Sequence, residues 1–283
     1  MVLEAYAKIN IGLRIIERRA DGFHSIETIF HRIRLSDTLT LEPAASGIRL
    51  TCTDPTVPSD RTNLCWRAVE ALQAECRTDL GAVMHLHKRI PSGAGLGGGS
   101  SDAAAVLRYL PALWNKRVPD VRLRELGAGL GSDVPFFLQD ASAFAEGRGE
   151  QLTPFALPLP YWILLVNPGI HVSTPWAYGE FSKKLSAGYV VPRGSLFSAA
   201  KKTMRPLAEV MVNDFEEVVF PVHPDIAAIK HTLLAAGAAS ALLSGSGSSV
   251  FGLFADEHGV RLANDEFARR YFTSLTEPHF IPG

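Results

Sequence analysis

Polar and apolar residues alternate through residues 5–16 (AYAKINIGLRII), 24–35 (HSIETIFHRIRL), 37–43 (DTLTLEP) and 47–53 (GIRLTCT). A period of two predicts four strands. The sequence RADG at 19–22 supplies the Asp-Gly chemistry of a tight turn between the first two. The period then lengthens. Residues 64–75 (LCWRAVEALQAE) read as a helix that Thr62 or Asn63 can cap. Residues 81–90 (GAVMHLHKRI) return to alternation, with Val83, His85, His87 and Arg89 opposite Met84, Leu86, Lys88 and Ile90. Helical stretches follow at 101–110 (SDAAAVLRYL) and 121–130 (VRLRELGAGL), the second leading into GSDVPFFL.

Beyond about residue 150 the texture changes. Pro154, Pro158 and Pro160 suit a connector ahead of a buried strand, YWILLV at 161–166. Helices are expected at 195–200, 207–219 and 225–237, and strands at 239–244 and 250–254 around a polar loop, GSGSS. The closing residues 272–283 are expected to pack back on the first half. Strands and helices mix without a regular β-α-β beat, which favours an α+β fold over a doubly wound sheet. At roughly 100–200 residues per domain, 283 residues suggest two domains, divided as 1–152 and 153–283.

Composition adds exclusions. The net charge is −1, from 28 basic and 29 acidic residues. No bulk electrostatic grip on nucleic acid or membrane follows from that balance. Lys183-Lys184 and Lys201-Lys202 read as solvated helix faces. Cys52, Cys65 and Cys76 form no CxxC, so unpaired thiols in a reducing cytoplasm are expected. The N-terminus carries Glu4 and Lys8 where a signal peptide needs an apolar core. The longest low-polarity run, 233–243, is short of the roughly 20 residues that span a bilayer. A soluble cytoplasmic protein, a monomer or weak homodimer, is expected.

The chemistry concentrates in PSGAGLGGGSSDAAA, residues 91–105. Glycine at this density costs order, and the alanines behind it favour helix. A helix N-terminus offers unpaired N–H groups and about +0.5 of an elementary charge, and glycines let a phosphate reach the backbone. Ser100 and Ser101 add hydroxyls there. A P-loop is excluded, because no lysine lies between Arg89 and Asn115. Gly93, Gly95 and Gly98 spell GxGxxG, but no acidic residue ends a second strand about 20 positions on, as dinucleotide binding requires. A Ser-capped helix after a surface loop is the bland alternative. Lys8 has one as a solvent-face strand lysine, and Ser132 or Asp133 as the cap of a short helix.

Pro91-Ser92-Gly93-Ala94-Gly95-Leu96-Gly97-Gly98-Gly99-Ser100-Ser101 resembles the phosphate-binding motif of the GHMP kinases, which include galactokinase, homoserine kinase and mevalonate kinase. The likeness extends over AKINIGL with RADGFHSIET, TNL at 62–64, LGSDVPFFL, AFAEGRGE and LLSGSGSSVFGLF, nearly the whole chain. It is nearest to the branch whose alcohol acceptor carries a cytidine diphosphate.

The resemblance implies a two-domain kinase fold with its active site between the domains, and ATP with Mg²⁺. Lys8 matches the family's active-site lysine, and Asp133 the residue that orients and accepts the proton of the acceptor hydroxyl. Phosphoryl transfer is mostly positioning and charge neutralisation, which is the work these two would do. Asn10, Phe23, His24 and Thr174 match substrate contacts. Phe23, where the family more often has Tyr, would stack on the base, and His24 would read its polar edge. Asn63 and Lys88 match positions near the adenine; a helix cap and a strand-surface lysine are their plain alternatives. Gly245, Ser246 and Gly247 resemble the third glycine motif. No metal ligands are named. His85 and His87 alone have metal-sharing spacing, without a third partner. The competing possibilities are a sister kinase of mevalonate or homoserine type, an NAD(P)-dependent oxidoreductase, and a non-catalytic nucleotide sensor.

Overall fold

The alternation through residues 2–53 becomes three strands rather than four in a computed structural model that describes residues 1–189 and 211–282. β1 (Val2–Arg18) is followed by β2 (His24–Ala44), which runs through both predicted strands without a break, and by β3 (Ile48–Cys52). The turn lies where RADG predicts it, with Gly22 donating to the Arg19 carbonyl at 3.1 Å.

The chain forms two compact units that interleave rather than follow one another. One holds Met1–Ala7, Leu35–Ser92 and Gly97–Asp140; the other holds Lys8–Arg34, Gly93–Leu96 and Ala141–Gly283. A single cut at 152 does not describe them, because β1 and β2 contribute to both. Residue 152 also lies within β6 (Gln151–Phe155), which pairs antiparallel with β5 (Ser142–Glu146). Pro154 is therefore a strand residue and not part of a connector.

In the first unit, β4 (Gly81–His87) pairs antiparallel with residues 38–44 of β2 and parallel with β3. α1 (Leu64–Cys76) buries Cys65, Ala68, Val69 and Leu72, the i, i+3, i+4, i+7 stripe of a helix lying on a core. It packs on α2 (Gly98–Leu113), with α3 (Asp120–Leu130) and α4 (Val134–Phe137) against the same helix. α2 is buried almost continuously from Ser101 to Leu107, which is why alanine dominates it. Each large aliphatic chain so buried contributes roughly 1.5–3 kcal/mol.

In the second unit, β7 (Trp162–Asn167), β8 (Ser240–Leu243), β9 (Val250–Phe254) and β10 (Phe272–Thr276) form an antiparallel sheet in the order β10-β7-β9-β8. The closing segment begins as a strand of this sheet and then packs back as expected on the first half, where Arg34 N–H on β2 donates to Thr276 Oγ1 at 3.0 Å and the Arg34 guanidinium pairs with Glu277. α5 (Thr174–Ser186), α6 (Glu216–Val222), α7 (Pro224–Ala235) and α8 (Glu257–Phe267) complete the unit. The expected helix at 207–219 is helical only from Glu216 among the described residues, and the one at 195–200 lies outside them. Lys183 and Lys184 do lie on an exposed helix face, paired with Glu180 and Glu217. Lys201-Lys202 falls outside the described residues. The three cysteines are unpaired, and no helix among the described residues is long and apolar enough to cross a membrane.

Candidate active site

Lys8 and Asn10 stand on the face of β1 that the alternation marks as polar, yet both are buried, at 4% and 2% exposure. Lys8 is therefore no solvent-face lysine. Its ammonium donates to Asn10 Oδ1 at 2.7 Å and lies 5.0 Å from the centre of the Phe30 ring. Asn10 Nδ2 donates to Thr28 Oγ1 at 2.9 Å, and Thr28 in turn donates to the Gly12 carbonyl. This chain orients the Asn10 amide and sets its oxygen toward the lysine.

The same strand holds the glycine loop. Lys8 N–H donates to the Leu96 carbonyl at 2.9 Å. On the other side of the loop, Ser244 Oγ donates to the Gly95 carbonyl at 3.0 Å, and Ser249 N–H donates to the Ala94 carbonyl at 3.3 Å. A Cβ on Gly95 would lie 2.0 Å from the Ser244 carbonyl oxygen. Gly95 is glycine because a second loop crosses it, a reason the sequence did not reveal. That second loop, residues 244–249, is not the exposed polar turn its composition suggests: Ser244, Ser248 and Ser249 are completely buried. Ser246 Oγ and Thr174 Oγ1, at the start of α5, are 2.7 Å apart. The structure thus brings together Lys8, Asn10, Gly93, Ala94, Gly95, Leu96, Thr174, Gly245, Ser246 and Gly247 within one unit.

Ser244, at the head of the second glycine loop, links the two loops, and two asparagines that the sequence did not single out hold this arrangement. Asn213 Nδ2 donates to the Leu243 and Gly245 carbonyls, at 2.7 and 2.8 Å. Asn167 Nδ2 donates to Ser249 Oγ at 3.0 Å while its oxygen accepts from Gly169 N–H. Buried asparagines flanking a glycine-serine loop were the available signal, since a buried amide needs partners.

Phe23 and His24 sit at the turn after β1 with different exposures. Phe23 is 53% exposed, with the Arg148 guanidinium 4.9 Å from its ring centre. His24 is buried and stacks on Tyr178, the centroids 4.8 Å apart and 17° from parallel. The Ser182 hydroxyl donates to the Tyr178 carbonyl, so its oxygen must accept the hydrogen of His24 Nε2, 2.7 Å away. Burial, with the Arg18 charge, holds the imidazole pKa below its usual value. The neutral ring therefore carries its hydrogen on Nε2 and leaves Nδ1 as an acceptor.

In the other unit, α2 begins at Gly98, earlier than its sequence pattern predicts. Ser101 N–H is the first to bond back within the helix, to the Gly97 carbonyl at 2.9 Å. The N–H groups of Gly98, Gly99 and Ser100 have no intrahelical acceptor. Pro91 and Ser92 lead the loop in, and Gly97 caps the helix in the left-handed region at φ +69°. Asp133 holds the position before α4, but its side chain makes no capping bond. Asn63 does cap α1, accepting from Cys65 N–H at 2.8 Å, and its amide donates to the Pro58 carbonyl.

Lys88 is not a surface lysine. Its ammonium is buried between Asp37 and Asp102, donating to both, with 2.8 Å to Asp102. Burial opposes its charge, but the two carboxylates hold its pKa above the usual range. Burial raises Asp102 to about 7, against the pull of Lys88 and with the help of Asp37. His85 bonds to Thr51, and among the described residues no group of three or more His, Cys, Asp or Glu is placed to hold a metal ion.

In the second unit a glycine loop held by the Lys8 strand is crossed by a second glycine loop, and in the first unit α2 opens on N–H groups without intrahelical acceptors. Residues 63–141 match the GHMP kinases N terminal domain and residues 196–272 the GHMP kinases C terminal domain. A relative from Salinibacter ruber, named 4-diphosphocytidyl-2-C-methyl-D-erythritol kinase, is 43% identical over 92% of this chain and 92% of its own length. A relative of the same name from Chlorobium phaeovibrioides is 43% identical over 99% of this chain and 97% of its own. The crystal structure of a 4-(cytidine 5'-diphospho)-2C-methyl-D-erythritol kinase superposes with a TM-score of 0.84 at 35% identity, covering 98% of both chains. The Methanococcus jannaschii mevalonate kinase shares the fold, with a TM-score of 0.73 at 14% identity over 98% of both chains. The chain belongs to the 4-diphosphocytidyl-2-C-methyl-D-erythritol kinase family. It is an ATP-dependent small-molecule kinase with an α+β fold.

Proposed function

We propose that the protein transfers the γ-phosphoryl group of ATP to the 2-hydroxyl of 4-diphosphocytidyl-2-C-methyl-D-erythritol, giving the 2-phosphate and ADP. The observation that carries the proposal is the Lys8–Asn10 pair, buried on the strand that holds the glycine loop. A buried cation beside a phosphate cradle serves a reaction whose transition state spreads negative charge over the moving group.

In this account residues 91–101 cradle the triphosphate, with the free N–H groups of α2 facing its anionic oxygens. Asn63 and Lys88 belong to the nucleotide side. Lys8 neutralises charge on the transferred group. Asp133 orients the acceptor hydroxyl and takes its proton as the O–P bond forms. The carboxylate accepts that proton late, as charge leaves the hydroxyl oxygen for the new O–P bond. Asn10 and Thr174 position the acceptor, and Gly245, Ser246 and Gly247 close over it. Phe23 stacks on the cytosine while His24 Nδ1 accepts from its 4-amino group, a donor that uracil lacks at that position.

Magnesium enters with ATP. Among the described residues no group of three or more His, Cys, Asp or Glu is placed to hold a metal ion, and an ion held largely by phosphate oxygens and water needs no such group. When bound it supplies charge neutralisation along the phosphates. The enzyme acts in the cytoplasm on a small molecule bearing cytidine diphosphate, without a nucleic-acid partner.

The test is Mg²⁺-dependent ADP release from ATP, with 4-diphosphocytidyl-2-C-methylerythritol, mevalonate and homoserine offered separately. Turnover with the cytidylyl substrate alone is expected. Turnover on another alcohol with none on this one overturns the substrate assignment and leaves the kinase fold standing.

A further inference from the structure

The glycine loop enters and leaves past one buried ion trio. Asp37, on β2, is completely buried, and its Oδ1 accepts from the backbone N–H groups of Arg89 and Ile90, at 2.6 and 2.9 Å. These are the two residues immediately before Pro91. The other oxygen of Asp37 accepts from Lys88, and the same ammonium donates to Asp102 in the first turns of α2. Asp102 is 2% exposed, and its second oxygen has no partner. Two carboxylates on one buried cation are an expensive arrangement for a core, and a well-packed apolar trio would be no less stable. What they join is specific: the chain entering the loop and the helix leaving it.

We propose that Asp37, Lys88 and Asp102 are positioning residues that fix the two ends of the phosphate loop, and that Lys88 acts through this clamp rather than by touching the nucleobase. The proposal rests on the loop being the ATP-phosphate cradle. Loosening the clamp lets the loop's two ends drift apart, so the N–H groups of α2 no longer converge on the phosphates. The penalty falls on ligands that carry phosphates, while adenosine binding, which does not use the loop, is left as it was.

The experiment compares Lys88→Met with the wild type in calorimetric titrations of ADP and of adenosine, together with KM values for ATP and for the acceptor. ADP affinity is expected to fall about tenfold or more, equivalent to about 1.4 kcal/mol. Adenosine affinity should stay within about twofold, and the KM for ATP should rise while the acceptor KM holds. An equal fall for ADP and adenosine overturns the clamp and makes Lys88 a nucleobase contact; no fall in either also overturns it. Removing Lys88 alone leaves two facing buried carboxylates, so Lys88→Met/Asp102→Leu, which removes one charge of each sign, is run beside it with the same expectations. Wild-type protein that binds no ADP would instead refute the ATP cradle itself, before any variant is compared.

Discussion

Replacing Gly95 by alanine tests whether the two loops are as tightly joined as their contacts imply. The residue has φ +78°, where an L side chain costs roughly 1–2 kcal/mol. Its new Cβ would lie 2.0 Å from the Ser244 carbonyl oxygen, so backbone must move by about 1 Å or more. That movement breaks or lengthens the Ser244–Gly95 bond at 3.0 Å and the Asn10–Ser244 bond at 3.4 Å. Each hydrogen bond of this kind is worth about 0.5–1.5 kcal/mol net. Together these effects predict a loss of about 2–5 kcal/mol in stability, read as the shift in urea midpoint at constant m-value. Gly99→Ala is the control: its nearest neighbour is Leu64 Cδ1 at 3.9 Å and its φ is not positive. In the helix it should stabilise by up to about 1 kcal/mol. Equal stabilities for the two variants, within about 0.5 kcal/mol, would refute the crossing of the loops as the reason for this glycine.

Asp133→Asn should stay folded and lose about 100-fold or more in kcat, with the KM for ATP little changed, in the ADP-release assay; near-normal turnover ends its role as proton acceptor. Ser182→Ala removes the oxygen that fixes the His24 tautomer, and competition by CDP against UDP should show the preference for cytosine falling about fivefold, or not at all if Nδ1 is not the reader. His31 is buried against Ser142, and burial holds its pKa down to about 4 against 6.5 for the free imidazole. Between those values the unfolded chain binds a proton that the native protein refuses. His31 therefore contributes stability that is present above pH 6.5 and lost as the pH falls toward 4. Unfolding free energies at pH 7 and pH 5 should differ by about 2 kcal/mol more in the wild type than in His31→Gln, and an equal difference would show that the imidazole is not held neutral.

Much of the candidate site was legible locally. Alternation located β1 and β4, the Asn63 cap and the Leu64-to-Cys76 stripe gave α1, and the glycines ahead of the alanine run located the mouth of α2. Other elements were not. β5 and β6 are short hairpin strands, and Pro154 on β6, which reads as connector, hid their pairing. α5 begins at Ser173, whose hydroxyl caps it, and alternates too weakly to stand out. β10 looked like a tail because its apolar residues find a face only when β7 lies beside them. Lys8 and Lys88 look alike in sequence, each a lysine in an apolar strand pattern. One pairs with an amide and the other with two carboxylates, and only the partners tell them apart.

The sequence by itself determined those local states that helix and strand periods, caps and turn chemistry mark, because these act over a few residues. It also determined the family, through motifs whose residue types the chemistry requires at fixed spacing. Tertiary structure decided the rest. It set the close approach that Gly95 permits, because Gly95 and Ser244 meet across 149 residues of chain. It set which polar side chains are buried and paired, and which nitrogen of His24 carries the hydrogen. It also interleaved the two units through β1 and β2. Each of these depends on distances between segments remote in sequence, and no local pattern encodes a distance of that kind.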